Sequence, residues 1–345
     1  MSPIKKPDQK SGVITLKAVA EYVGLTPGTV SAVLNNAPSA RSIPQDTKDR
    51  IHAAAKQLNY RPNFFARTLR NKRTYTIGVI AEEIGDSYGS AVISGIEQHL
   101  RKSGYFFLTV AHRHSTELLS RYSQMLAERG VEGIITVDTR VQESPALPTV
   151  AVAGHRKLKG VTNIVLDHDR AAVLALTHLK GLNHEHIAFM RGSPLSSDSE
   201  ERWASICRVA AQTEIKIDPQ LTMQIDREDA TPMLGYPFVK QLLARKIPFT
   251  ALFAYNDIAA IGAIRALQEE GLRVPQDVSV MGFDDIPGAA FHMPSLTTVR
   301  QPLGRMGEVA AQSLLERIED NSEFPAEIAV EPELVVREST GPAPA

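Results

Sequence analysis

The sequence predicts two fold classes in one chain: a small all-α module at the N-terminus and a larger α/β domain with parallel sheets behind it. Three observations predict this. Apolar residues recur at helical spacing from Thr15 to about Tyr60, and from Tyr75 onward strand-like and helix-like stretches alternate. Charge divides at the same place: residues 1–73 hold 13 Lys and Arg against 4 Asp and Glu, a balance of +9, while the remainder holds 25 against 35, or −10. A chain of 345 residues is also too long for one small core, so two or three domains are expected.

Several classes are excluded at the outset. No stretch approaches the ~20 consecutive apolar residues that cross a bilayer. The opening "MSPIKKPDQKSG" has no apolar run after its lysines, so it does not read as an export signal, and a cytoplasmic protein is expected. The lone cysteine, Cys207, excludes an internal disulfide framework and reads as a small buried hydrophobe. The basic block calls for an anionic polymer, and without a membrane-type amphipathic stripe that polymer is nucleic acid rather than a membrane.

Residues 1–13 read as a disordered tail. "TLKAVAEYV" places Leu16, Val19, Ala20 and Val23 on one helical face, with Thr15 as N-cap. Ala18 stands where a capping box needs Glu or Gln, so the cap is weak. Gly24 supplies a tight turn. Thr26 caps a second helix, "PGTVSAVL", with Pro27 at its first position. A third helix over about 45–58 presents Ile51, Ala54, Ala55 and Leu58 to the same core. Residues 61–73, "RPNFFARTLRNKR", are too short and basic for a helix that stands alone in water, and read as a linker that orders on a partner.

Beyond Tyr75, strands are expected at "YTIGVIA", "YFFLTV", "GIITV", "TVAVA", "HIAFM", "TALFA" and "VSVMGF". Helices are expected near 90–103, 116–129, 169–180, 229–245, 257–270 and 304–319. Such alternation makes parallel sheets covered on both faces, and the length suits two lobes.

A helix, a glycine turn and a capped second helix make a helix-turn-helix, whose second helix enters the major groove. The run "TLKAVAEYVGLTPGTVSAVLNN…LNYRPNFFARTL" resembles the N-terminal signature of the LacI/GalR family of bacterial transcription regulators. The resemblance continues through "GVEGII", "FAYNDIAAIGAIRALQEEGLRVPQDVSVMGFDDI", "PSLTTVRQP" and "ELVVREST", nearly the whole chain. It implies a helix-turn-helix headpiece over 14–60, a hinge over 61–74, and a periplasmic-binding-protein-like effector domain over 75–341. In that domain the first lobe is expected at about 75–165 plus 295–323, the second at about 166–294 plus 324–341. The implied function is an operator-binding regulator, more often a repressor, acting as a homodimer (a tetramer being the alternative) under control of a small polar metabolite of the sugar class. No cofactor is implied.

The resemblance also assigns positions. Pro27, Gly28 and Ala32 match base-reading positions, and Thr29, Ser31 and Asn35 match phosphate-contact or packing positions. Thr15, Thr26 and Tyr60 join the DNA-facing set. Many relatives carry Arg or His where this chain has Ala32. A bidentate Arg–guanine contact discriminates by roughly 1–3 kcal/mol, and a methyl offers only a thymine methyl contact. The loop "NAPSARSIPQD" is about three residues longer than usual and presents Arg41 near the backbone. Pro44 replaces the serine that usually opens the third helix. Asn63 and Ala66 match hinge positions, and Leu69 the leucine wedged between central base pairs.

In the effector domain Arg202, Asn256 and Asp284 match ligand hydrogen-bonding positions and Phe253 a stacking position. Asp86 to Tyr88 stand where the family carries Asn-Pro-Phe after the first strand, and Asp138 lies near the end of a strand; Asp86, Tyr88 and Asp138 are expected to reach the cleft. Asn256 and Asp284 have a plain alternative as helix caps. Ala153, Ser205 and Ile206 depart from the family pattern, so ligand identity does not transfer. His184 and His186 lack a third ligand at a metal-site spacing. "EEIGDSYGS" has neither the glycines nor the lysine of a P-loop. A carbohydrate enzyme or a transport binding protein are the competing readings; neither needs residues 15–73, and the second needs an export signal.

Overall fold

The computed structural model describes residues 14–61, 73–194, 196–225, 231–320 and 324–344. The chain divides into two compact units, Met1–Thr74 and Tyr75–Ala345. The expected hinge contacts Asn63, Ala66 and Leu69 lie outside the described residues.

In the first unit, α1 (Leu16–Val23), α2 (Pro27–Leu34) and α3 (Gln45–Gln57) share a core built on Val19, Val30, Val33, Ile51 and Ala54. The caps are local and fall where the sequence places them. Thr15 Oγ1 accepts from Ala18 N at 3.3 Å, a long bond consistent with the missing capping box. Gly24 ends α1 at φ 69°, a left-handed conformation that costs glycine little. Thr26 Oγ1 accepts from Thr29 N at 3.2 Å. Pro44 precedes α3 without a side-chain cap, and its carbonyl accepts from Thr47 N and Lys48 N.

The long loop after α2 holds a structural surprise. It folds into a short 3-10 helix, Pro38–Ser42, which packs back on α2. Ala37 N donates to Ala32 O at 2.9 Å, and Ala40 joins Ala32 in the headpiece core. Ala32 is 7% exposed and Ser31 likewise 7%. The small residue at 32 therefore serves packing under the extra turn.

The second unit holds two six-stranded sheets among its described residues. The first lobe carries β1 (Thr76–Ala81), β2 (Phe106–Ala111), β3 (Gly133–Val137), β4 (Thr149–Val152), β5 (Val161–Leu166) and β11 (Glu327–Val330), in the order β11-β5-β4-β3-β1-β2. All its pairings are parallel. The second lobe carries β6 (Ile187–Arg191), β7 (Thr222–Gln224), β8 (Ala251–Phe253), β9 (Ser279–Asp284), β10 (Thr297–Arg300) and β12 (Glu333–Val335), in the order β12-β10-β9-β8-β6-β7, with β12 antiparallel.

Helices α4 (Ser87–Lys102), α5 (Thr116–Glu128) and α11 (Leu303–Asp320) cover the first sheet; α6 (His168–Gly181), α7 (Ser197–Gln212), α8 (Gly235–Ala244) and α9 (Asp257–Glu269) cover the second, and α10 (Pro287–Phe291) follows β9. Each lobe is clamped by one glycine-mediated helix contact. A Cβ at Gly95 of α4 would lie 1.9 Å from Gly304 O on α11, and one at Gly235 of α8 would lie 1.8 Å from Ala259 O on α9. These backbones touch and leave no room for a side chain between them.

The structure corrects several expectations. β10 pairs with β9, and so residues 297–300 belong to the second lobe; β11 pairs with β5, and so 327–330 belong to the first. Both segments are crossings whose pairing depends on distant strands. "VTNIVL" is the buried strand β5 although Thr162 and Asn163 interrupt its apolar run. α7 escapes the periodicity reading because its first turn is polar, with Asp198 and Glu200. Cys207 on α7 is half-buried rather than buried.

Candidate DNA-binding face and effector cleft

On α2 the exposed residues at the N-terminal end are Thr26, Pro27 and Gly28, with Thr29 half-buried. The Thr26 and Thr29 hydroxyls bond each other at 2.9 Å at the start of the first turn, where Thr29 N and Val30 N are already taken up by Thr26. Backbone amides and hydroxyls at a helix N-terminus suit a phosphate, and none of these side chains offers a bidentate base contact. Asn35 is exposed at the C-cap, with its amide spent on Ser31 O at 2.8 Å and Ser31 Oγ at 3.2 Å. Ala32 and Ser31 face the core, and a methyl-to-thymine contact at 32 is not available. Thr15 and Arg41 are exposed, and Tyr60 packs half-buried against the headpiece core. The exposed side chains of this helix offer few groups suited to base-specific hydrogen bonds.

In the second unit the carboxyl ends of the strands face each other across a cleft, where open α/β sheets bind ligands. Between the lobes lies a cavity of about 110 Å³. Of the expected effector residues, Asp86, Tyr88, Asp138 and Asn256 line it. Glu82 and Glu83 follow β1 directly, His114 lies beyond β2, and Ser196 and Tyr255 come from the second lobe. Sequence reasoning missed these five, although two carboxylates at a strand end were a readable signal.

Each residue has an evident holder. Asp86 is the N-cap of α4 and accepts from Gly89 N at 3.0 Å. Burial pushes its carboxyl up to about 6 against that amide, and the charges of Asp138 and Glu83 add to the rise. Asp138, at φ 44° after β3, accepts from Ser196 Oγ at 3.2 Å across the cleft and hydrogen-bonds with Glu82. Burial and the charge of Asp198 raise it too. His114 Nε2 lies 2.5 Å from Glu82 Oε1. The Tyr88 hydroxyl is buried and has no hydrogen-bond partner. Asn256 caps α9, accepting from Ala259 N at 2.9 Å, so the plain reading and the cleft position hold together.

Arg202, Phe253 and Asp284 are placed differently. Arg202 lines a small second cavity of about 20 Å³ behind Tyr255, together with Phe253. Its guanidinium donates to Asp198 Oδ2 at 2.6 Å and Tyr255 O at 2.7 Å and lies 3.7 Å over the Phe283 ring. Phe253 packs between Phe189 and Phe283 in the lobe core. Asp284 accepts from Gln301 Nε2 at 2.6 Å, and burial pushes it up to about 8 against the pull of Arg202. Its φ of 111° is a conformation that favours glycine, a strained backbone of the kind held at binding sites.

Asp198 ties the second wall together. His155 Nε2, from the loop after β4, and His168 Nε2, at the start of α6, both bond its Oδ1, at 2.9 and 3.0 Å. Burial opposes its ionisation, yet His168, Arg202 and His155 hold it well below the usual carboxylate range. His155 comes from the first lobe and Asp198 from the second, so this is a latch across the cleft. His184 bonds Thr250 Oγ1 and Ser279 Oγ.

A helix-turn-helix module joined to a two-lobed domain with a polar interlobe cleft defines a ligand-responsive DNA-binding protein. Comparison with known proteins agrees. Residues 15–63 match the model of bacterial regulatory proteins of the lacI family, and 176–340 match a periplasmic binding protein-like domain. The chain is 32% identical over 337 residues to the HTH-type transcriptional repressor PurR of Haemophilus influenzae, covering 94% of this chain and 98% of that protein. PurR of Aliivibrio fischeri is also 32% identical, over 333 residues. Among solved structures, the lac repressor dimer bound to operator and the anti-inducer ONPF superposes with a TM-score of 0.85 at 26% identity, covering 96% of this chain and all of that one. The chain belongs to the lacI family of bacterial regulators, which are repressors rather than enzymes.

Proposed function

We propose that the protein is a dimeric, cytoplasmic repressor that binds a pseudo-palindromic operator, with its affinity set by a small polar metabolite held between the lobes. The observation that carries this reading is the interlobe cavity with convergent polar groups in a chain that also bears an exposed helix-turn-helix. Neighbours support a polar, sugar-sized ligand: the regulator CelR was solved with cellobiose, and a regulator from Alkaliphilus metalliredigens with D-xylulofuranose. A two-fold dimer matches a two-fold operator because one headpiece sees only a half-site. Phe291 and Met293, two residues apart in the chain, support self-association, being 88% and 83% exposed. Leu69 is proposed as the groove wedge on the resemblance alone.

Gel shifts against genomic fragments test the reading. One fragment, or a few, should bind far more tightly than the rest, with a salt slope near −0.9 per phosphate contacted. Equal affinity for all fragments would overturn sequence-specific control. Replacing Phe291 and Met293 by aspartate should yield monomers in sedimentation and weaken operator binding together.

A further inference from the structure

The charge of the cavity goes beyond what a neutral polar ligand requires. Glu82, Glu83, Asp86 and Asp138 all line it. Against them stands His114, bonded to Glu82. Arg202, the cation expected from the family pattern, is turned into the second-lobe wall, where its two terminal nitrogens donate to the Tyr255 carbonyl and to Asp198. Asp86 accepts from Gly89 N, and Asp138 accepts from Ser196 Oγ and shares a hydrogen bond with Glu82; among the described residues neither carboxylate forms an ion pair, although the charge of Arg202 favours ionised Asp138 through space. We propose that the effector is a small organic cation, a polar compound bearing a protonated amine, seated among Glu82, Asp86 and Asp138. This rests on the reading of the cleft as the effector site and names the ligand class it takes.

Three arguments carry it. Half-buried carboxylates lacking a counter-charge are unfavourable until a cation supplies one, and a protonated amine supplies both the charge and the donors. The Tyr88 hydroxyl, buried against the cavity without a partner, is an acceptor waiting for an N–H or O–H. Tyr255 lines the opposite wall, its ring already under the Arg202 guanidinium at 5.1 Å, so an aromatic ring in contact with a cation borders the cavity. A metal ion is the poorer occupant because, among the described residues, three of these carboxylate oxygens do not gather at metal-ligand spacing. Among the described residues the group that brings three ligand atoms within 4.8 Å is His155, His168 and Asp198, away from these carboxylates.

The test uses the full chain and matched pairs differing only in the amine: glucosamine against glucose, galactosamine against galactose, and putrescine against 1,4-butanediol. Thermal shift finds binders and calorimetry gives their affinities. At least one amine should bind, at least tenfold more tightly than its neutral counterpart. Asp86→Asn and Asp138→Asn should each reduce that ratio at least tenfold. Asparagine caps helices as well as aspartate does, so Asp86→Asn keeps α4 intact and the test stands even if the second variant folds poorly. A panel in which no amine binds, or in which neutral members bind as tightly, overturns the proposal. Neutral ligands lost on Tyr88→Phe would leave the cleft as effector site and remove only the charge. Ligands indifferent to all three substitutions would remove the site as well.

Discussion

The two walls of the cleft carry the same functional group and treat it in opposite ways. On the second-lobe wall Asp198 is 4% exposed and yet ionised, because two histidines and Arg202 hold its oxygens. On the first-lobe wall Asp86 is more accessible and yet pushed up to about 6, because burial and its acidic neighbours outweigh the Gly89 amide. Burial alone would order these the other way. The difference teaches that partners decide the charge state: the second-lobe wall is satisfied in charge, its carboxylate held by cations, and the first-lobe wall is unsatisfied, its carboxylates set beside one another.

The largest effect should come from breaking the satisfied wall. Asp198→Asn leaves Arg202 charged and buried without its anion, and breaking a buried pair costs about 3–5 kcal/mol. Urea unfolding followed by the single tryptophan, Trp203, beside Arg202 in α7, reads this directly. A loss under ~1 kcal/mol would mean that the wall is not charged.

Next in size is the pH dependence. Burial raises Asp284 to about 8 and Asp257 to about 7 in the folded state. Unfolded carboxyls ionise near pH ~3.9, so above that pH the folded state holds protons that the unfolded state has released. At these two groups stability therefore falls as pH rises from about 4 to about 8. Asp198 has the opposite sign: its contribution is present above the unfolded value and lost in acid. His155, raised because Asp198 outweighs burial, contributes below its unfolded value and loses that contribution as pH rises through its folded one. Asp284→Asn keeps the Gln301 acceptor and should shrink the difference in melting temperature between pH 5 and pH 8 by roughly 2–4 °C. An unchanged difference would place the titration elsewhere.

Breaking the unsatisfied wall should have the reverse sign. Asp86→Asn retains the cap and removes repulsion with Asp138 and Glu83, raising stability at pH 8 by about 0.5–1 kcal/mol. Destabilisation there would show that Asp86 already has a cation. The smallest effect is expected at the cleft rim. Arg140 bonds Glu200 at 2.7 Å with the side chains 45% and 60% exposed, so Arg140→Ala should cost under ~1 kcal/mol in denaturation.

Legibility in the sequence followed the range of the interactions. Thr15, Gly24 and Thr26 act within one turn of chain, and their roles were readable from neighbours. Asp86, Tyr88 and Asn256 were readable from the family pattern, and Asp138 because it lies near the end of a strand in a parallel sheet. Asp198 was not, since its histidine partners lie 43 and 30 residues away. Ala32 misled because its position was matched to outward-facing ones, while three extra loop residues fold back over α2 in this chain. The crossing strands β10 and β11 were assigned to the wrong lobes for the same reason: short segments take their sheet from distant partners.

The chain passes between the lobes three times among the described residues, after β5, β10 and β11. β5 and β11 are neighbours in one sheet, β10 and β12 in the other, and Asp167 N bonds Val330 O between two of the passages. Three tethers along one edge act on two rigid blocks as the pins of a door act on its leaf. Sliding and twisting are resisted, and one swing remains, closing on the side away from the pins. His168 stands at one pin, reaching Asp198 on the moving leaf, and Gln301 stands at another, reaching Asp284. A ligand that closes such a door does mechanical work along a single coordinate, and whatever is attached to the leaf feels a displacement whose direction is set by the pins and not by the ligand.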